Sequence, residues 1–360
     1  MKGRLFSLDL LRGLDMVLLT VVGPLQNGWR LSWGIPACVT HQFSHYWSGF
    51  TLWDLILPLF IFMSGASVPF ALGKRLEEDG RPGRAYWRHV ASRFAMLYAL
   101  GFVATGTIFK LDPMSLTPFG TLQVIAIGYL FAALVFPLKS RLARLAPLAV
   151  YLLVYGVVLL AFGDWTPDGN AAVKFDMWAF GFVLPPESVL FQHRGYSKLL
   201  TLPVYGFLTV AGVEATLVLR GEWSARRKLM ALAAAGAGLV AAGWALSPFI
   251  PMIKHVFSPS FTLAAVGYSV LLLTACYLVA DVLGFRRGLS FFILYGQTSL
   301  AAYMLYTFFA PAVAAAAGAA TIGVPRVWPS AGPFATSLAA AAFTTWALYV
   351  WRLSRKGRAL

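Results

Sequence analysis

Two histidines and a carboxylate stand close together in the segment 41–72, HQFSHYWSGFTLWDLILPLFIFMSGASVPFAL. His45 and Asp54 carry the chemical promise. An unperturbed imidazole titrates near neutrality, so it can take or give a proton at working pH. A positioned histidine contributes typically about 10²–10⁴ in rate as a general base or acid. A nearby carboxylate can orient that imidazole or balance its charge. The segment turns apolar after Thr51, which puts Asp54 in the first turn of a membrane helix. A carboxylate there is costly unless it has a partner or a task. Each residue also has a plainer reading. His45 beside Trp47 suits an aromatic belt at the membrane surface. Asp54 suits the positive end of a helix dipole. His41 is the competing histidine.

Further polar groups stand inside apolar runs. Asp9, Arg12 and Asp15 recur three residues apart in SLDLLRGLD and share part of one helix face. Asp9 with Arg12 either anchors a helix end or forms a cationic mouth for a phosphate-bearing cofactor. Gln123, in GTLQVIAIGY, is expected to hydrogen-bond between helices. Glu214 and Asp281 either line a pathway or pair with arginine. No metal is expected: His41, His45, His89, His193 and His255 are scattered and no CxxC occurs. Neither GxSxG, nor a Walker loop, nor a dinucleotide fingerprint is present. Cys38 and Cys276 are too few for a disulfide framework, and Cys276 reads as core.

The elements that must position these groups are membrane helices. Of 360 residues, 59% are hydrophobic and 12% charged, with mean hydropathy +0.71. Soluble domains carry roughly 25% charge. The fold class expected is therefore all-α, a polytopic membrane helix bundle forming a single domain over 1–360. At about 20 apolar residues per span, ten transmembrane segments can be placed: 8–27, 51–73, 90–110, 119–138, 145–163, 199–219, 229–250, 261–283, 290–313 and 332–352. The first apolar run reads as a retained helix, not a cleaved signal. Net charge is +15, and its placement argues for topology and anionic lipid as partner, not nucleic acid. With ten spans, one side holds most basic residues, while the other keeps only Arg30, Lys110, Lys174, Arg194, Lys198, Lys254 and Arg326. Both termini are then cytoplasmic. Outside, 111–118 is a short loop, and 164–198 is a long one with Asp164, Asp176, Trp178, Glu187 and His193. That long loop is either a structured cap or a disordered crossing. No internal repeat is evident, which disfavours an inverted-repeat transporter.

Three blocks occur in order: RLFSLDLLRGLDM at 4–16, HYWSGFTLWDLILPLFIFMSGASVPF at 45–70 and GTLQVIAIGY at 120–129. Later come PMIK with SFTL in 251–263, Asp281–Val282 and FFILYGQTSLAAY at 291–303. Together they resemble the bacterial relatives of heparan-alpha-glucosaminide N-acetyltransferase. The resemblance implies a transmembrane acyltransferase: the lysosomal enzyme of that family uses cytosolic acetyl-CoA to acetylate a terminal glucosamine on the far side of the membrane. The resemblance implies that His45 is the active-site histidine and that Asp54 is the aspartate of the same motif. It also implies an asparagine assisting the histidine, but the matching position here is Gly23. Asn27 or Gln26 are the nearby substitutes. The segment RGYSKLLTL at 194–202 fits the family pattern only loosely.

The expectation is thus an acetyl-CoA-dependent N- or O-acetyltransferase of a bacterial inner membrane, acting on an amino sugar or other glycan acceptor. Asp9, Arg12 and Gln123 are the expected cofactor-binding residues, and acetyl-CoA is the co-substrate. Polarisation of the thioester carbonyl falls to Ser48, Gln123 or backbone amides. The rival is a transporter or flippase for a polar lipid or sugar. Small-residue runs such as AAAGAG at 233–238 suit internal packing or a homodimer equally.

Overall fold

The computed structural model describes residues 5–106, 120–182 and 198–356. The expected loop 111–118, and Glu187, His193 and Arg194, lie outside them. Among the described residues every element is helical and there is no strand. In chain order the principal helices are α1 (Phe6–Val17), α2 (Gly23–Trp33), α3 (Ile56–Ala66), α4 (Arg84–Ala104), α5 (Thr121–Val135), α6 (Arg141–Phe162), α7 (Ala171–Phe180), α8 (Leu202–Arg220), α9 (Ala225–Leu246), α10 (Pro259–Tyr277), α11 (Ser290–Gln297), α12 (Ser299–Tyr306), α13 (Ala310–Ala320) and α14 (Gly332–Lys356).

Among the described residues six helical segments are long and apolar enough to cross a membrane: Trp53–Glu77, Arg141–Phe162, Leu199–Arg220, Ala225–Leu246, Pro259–Val282 and Pro329–Ser354. A seventh arises if α12 and α13, bent by 73°, count as one span. Ten spans were expected, and three of the differences have physical reasons. The first helix is longer than 8–27. α1, a π-helical stretch Leu18–Val22 and α2 follow without a break, and Asp9, Arg12, Asp15 and Arg30 dilute the apolarity of that run. α4 begins among Arg84, Arg88 and Arg93, ahead of the apolar stretch expected from 90 onward. The expected span 290–313 is broken at Thr298 and again at 307–309, giving α11 to α13 instead. Of the six, Arg141–Phe162, Ala225–Leu246 and Pro329–Ser354 leave most of their residues outward, as lipid contact requires, whereas the other three are mostly buried among their neighbours. On α6, Leu153 is 71% exposed and Phe162 70%.

The described chain groups into two compact units. The first comprises Met1–Ser44, Thr51–Ile56 and Ala275–Leu360, and the second His45–Phe50 and Leu57–Thr274. In the first, α1 packs on α11, and α2 on α14. The Asp281 carboxylate accepts the Phe6 and Ser7 N–H groups at 3.1 and 3.0 Å. It thereby satisfies two of the orphan donors at the start of α1. Asp281 is thus a helix cap, and its partners here are backbone amides. Arg286 lies over the Phe6 ring at 3.9 Å.

In the second unit α8 is the hub, packed by α5 and α6. α3 crosses it backbone to backbone. A Cβ at Gly65 would overlap the Thr209 carbonyl, and one at Gly212 would overlap the Phe62 carbonyl. Small residues permit this approach, on which helix association in lipid relies. The Thr216 hydroxyl donates to the Ala66 carbonyl at 3.0 Å beside the crossing. Glu214, 5% exposed, pairs with Arg144 through Nε, and Arg144 also donates from Nη1 to the Leu138 carbonyl at 2.6 Å. Of the two alternatives for Glu214, the arginine pair is the one observed. Cys276 is buried as expected, and Cys38 is exposed.

Candidate active site

The site is built from two loops of the second unit, 45–50 and 251–258. The Gly49 N–H donates to the Met252 carbonyl at 2.8 Å and ties one loop to the other. The Trp47 ring stacks on His255 with centroids 5.1 Å apart, and its Nε1 donates to the Trp165 carbonyl at 2.6 Å. Phe50 packs on Phe261 and Tyr268. The second loop is equally fixed. Ser258 Oγ accepts the Ile253 N–H at 3.0 Å and donates to the Pro251 carbonyl at 2.7 Å. The Tyr155 hydroxyl donates to the Val256 carbonyl at 2.6 Å. Phe257 adopts φ 43°, a left-handed conformation rare for a bulky residue, and is held there by Tyr205 and Phe261.

These ties hold an exposed His45 against a buried Lys254, which is 5% exposed. Lys254 Nζ lies 3.5 Å from His45 Nδ1. A lysine ammonium can only donate, so in this contact Nδ1 accepts and the neutral ring carries its proton on Nε2. In the sequence Lys254 stood as one outer-side charge and as the last residue of the PMIK block, with no role assigned to it.

The other expected residues have definite places. Asp54, 2% exposed, belongs to the first unit. Its Oδ2 accepts the Thr51 hydroxyl at 2.8 Å and the Thr51 N–H at 3.2 Å. That closes the entry to the short helical turn Trp53–Leu55 and matches the plain helix-start reading. Asp9 and Arg12 pair at 3.7 Å. Asp15, on the same helix, is 2% exposed, and neither carboxylate oxygen has a hydrogen-bond partner among the described residues. Gln123 is fully buried. With its amide oriented for its neighbours, nitrogen donates to the Gly120 carbonyl at 3.3 Å and oxygen accepts the Phe102 N–H at 3.2 Å. It ties α5 to α4, as an interhelical amide does. His41 and Ser48 are exposed. Asn27 accepts from Arg30 at 3.0 Å. At Gly23, where the family asparagine was expected, the end of the Trp53 indole fills the space a side chain would need.

Within the second unit, the described part of the segment 164–198, expected as a long outer loop, is structured. Asp164 accepts the Thr166 N–H at 2.9 Å, and Asn170 caps α7 by accepting the Val173 N–H at 3.0 Å. Asp176, fully buried, accepts the Leu199 N–H at 2.9 Å. Burial pushes its carboxyl up to about 6, against the pull of that bond and of the Lys198 charge. Of the two readings of 164–198, the structured one holds for the residues described.

Among the described residues no three His, Cys, Asp or Glu side chains stand close enough to share a metal ion. A comparison with curated proteins finds no match. Residues 4–190, more than half of the chain, match the family described as heparan-alpha-glucosaminide N-acetyltransferase, catalytic. That stretch contains the 4–16, 45–70 and 120–129 blocks and both loop residues His45 and Trp47. An all-helical chain with several helices long and apolar enough to cross a membrane agrees with it. The chain belongs to the heparan-alpha-glucosaminide N-acetyltransferase catalytic family.

Proposed function

We propose that this chain takes acetyl from cytosolic acetyl-CoA and delivers it to an amino sugar or other glycan acceptor on the far side of a bacterial inner membrane. The observation that carries the reading is the exposed His45 imidazole on a loop fixed by Gly49 and Trp47, in a chain of an acetyltransferase family. The loop is anchored by hydrogen bonds and ring stacking, so the imidazole is held for a substrate with little ordering left to do. His45 takes the proton of the acceptor amine or hydroxyl as it attacks the thioester carbon. Asp54 is the second site residue on its motif match. The Asp9–Arg12 pair, with Arg12 partly exposed, offers a guanidinium to a phosphate at the cytoplasmic mouth. Ten crossings with both termini cytoplasmic would gather most of the basic residues on one side, which is what supports that topology. The exposed, Ala- and Gly-rich face of α9 is offered to lipid or to a second copy.

Calorimetry of acetyl-CoA binding to the detergent-purified protein tests the reading, with excess adenosine nucleotide as control. Saturable binding of about one molecule per chain, with turnover abolished in His45→Ala, supports it. A folded sample that binds no acetyl-CoA refutes it and turns attention to substrate flux in liposomes.

A further inference from the structure

The proposed transfer leaves one step without an owner, the stabilisation of the thioester oxygen as its carbonyl is attacked. We infer that Lys254 supplies the positive charge that meets this oxygen. The inference rests on the transferase reading above. Lys254 is 5% exposed, so its Nζ lies largely out of water beside His45, where a charge interacts more strongly than in solvent. Its backbone is fixed by the Ser258 and Tyr155 bonds and by the left-handed turn at Phe257. The backbone that carries the ammonium is therefore in place before any substrate arrives, and a charge set in advance stabilises a transition state most. Its Nζ lies 3.5 Å from His45 Nδ1. With the ring proton on Nε2, the lone pair that can act as base is the one on Nδ1, and the ammonium faces the same point.

An acceptor that gives its proton to Nδ1 sits about 3 Å from that nitrogen. The carbonyl carbon it attacks is then beside it, and the carbonyl oxygen comes within reach of Nζ. The 3.5 Å contact is at the long end for a hydrogen bond, so the ammonium can exchange Nδ1 for the oxygen. The acceptor's nitrogen or oxygen forms a bond to the thioester carbon, its proton goes to Nδ1, and the C=O electron pair moves to an oxyanion held by Lys254. On collapse the C–S bond breaks, and the departing CoA thiolate takes the proton back from His45. The other side-chain candidates are less suited. Gln123 has both ends of its amide engaged by Gly120 and Phe102, and Ser48 is exposed to solvent.

The test measures CoA release by wild type, Lys254→Met and Lys254→Arg, each checked for monodispersity and for acetyl-CoA affinity by calorimetry. Glucosamine, galactosamine and a glucosamine-terminated disaccharide serve as acceptors. Loss of an oxyanion donor predicts a fall in kcat of about 10²–10³ in Lys254→Met, with acetyl-CoA affinity within about twofold of wild type. Lys254→Arg keeps the charge and recovers much of the rate. A second donor separates a catalytic role from a structural one. Fluoroacetyl-CoA gives an intrinsically more stable oxyanion, so the Lys254→Met deficit shrinks several-fold with it. Wild-type kcat in Lys254→Met, or a deficit equal for both donors, overturns this inference and leaves the transferase reading standing. A wild type that transfers acetyl to none of the acceptors overturns both. If Lys254→Met does not fold, the donor comparison is made in Lys254→Arg, where displacement of the charge predicts a smaller deficit that also shrinks with fluoroacetyl-CoA.

Discussion

Replacing Glu214 by leucine isolates the energetic role of the buried ion pair on α8. Arg144 would keep its Nη1 bonds to the Leu138 and Lys139 carbonyls, at 2.6 and 3.3 Å, and lose the carboxylate that meets its Nε. Breaking a buried pair from one side costs about 3–5 kcal/mol, because a buried charge is left uncompensated. Arg141 also reaches Glu214, at 3.5 Å, but it is 62% exposed, so solvent screens it to at most about 1 kcal/mol. At roughly 2 °C per kcal/mol for a chain of this size, Glu214→Leu should lower the melting temperature by about 6–10 °C. The assay is thermal unfolding in detergent at one fixed scan rate, followed by tryptophan fluorescence. Removing both partners, in Glu214→Leu with Arg144→Leu, should restore most of the loss, since an apolar pair is often as stable as the ionic one. A single variant within 2 °C of wild type would refute the reasoning. So would Glu214→Gln that abolishes acetyl transfer at an unchanged melting temperature, because Glu214 would then serve a pathway.

Three further outcomes are expected. Gly65→Ala places a methyl group against the Thr209 carbonyl and should cost about 1–3 kcal/mol by overpacking, read as a lowered melting temperature and a reduced yield of monodisperse protein. Asp281→Ala removes the acceptor of the Phe6 and Ser7 N–H groups and should cost about 1–3 kcal/mol; Asp281→Asn should recover part of it, measured the same way. The Asp176 carboxyl is raised from 3.8 to about 6 in the folded chain, so the folded state holds its proton more tightly between those values. Its contribution therefore falls as pH rises from about 4 to 6 and is flat above. Wild type should lose up to roughly 3 kcal/mol relative to Asp176→Asn across that interval, at 1.36 kcal/mol per unit, and a difference independent of pH would contradict the cause given.

The spans Arg141–Phe162, Leu199–Arg220, Ala225–Leu246 and Pro259–Val282 were legible because each is a nearly unbroken apolar run, and length alone separates such a run from a loop. The 290–313 segment was not, because Thr298 and Thr307 bond to carbonyls one turn back and the chain changes direction without any drop in hydropathy. α2 was underestimated at its far end because Asn27 and Arg30 are polar, yet they pair with each other on the exposed face. In the candidate site, the neighbours HYWSGFT marked His45 as a polar group ahead of an apolar helix, and it stands exposed on that loop. Lys254 was marked only as part of the PMIK block, since no local pattern encodes its contact with a residue 209 positions away. Gln123 and Glu214 were read as polar groups needing partners, and the partners found are the backbone of α4 and the arginines of α6.

The indole of Trp53 pressed against Gly23 couples two positions that lie thirty residues apart. An asparagine introduced at 23 alone meets the ring, whereas one introduced after Trp53 has been made smaller does not. The two substitutions are therefore epistatic, and their order decides whether each intermediate is tolerated. At the bench an asparagine placed at 23 should be measured beside the same change with a smaller residue at 53, because the single variant also reports the displacement of the indole.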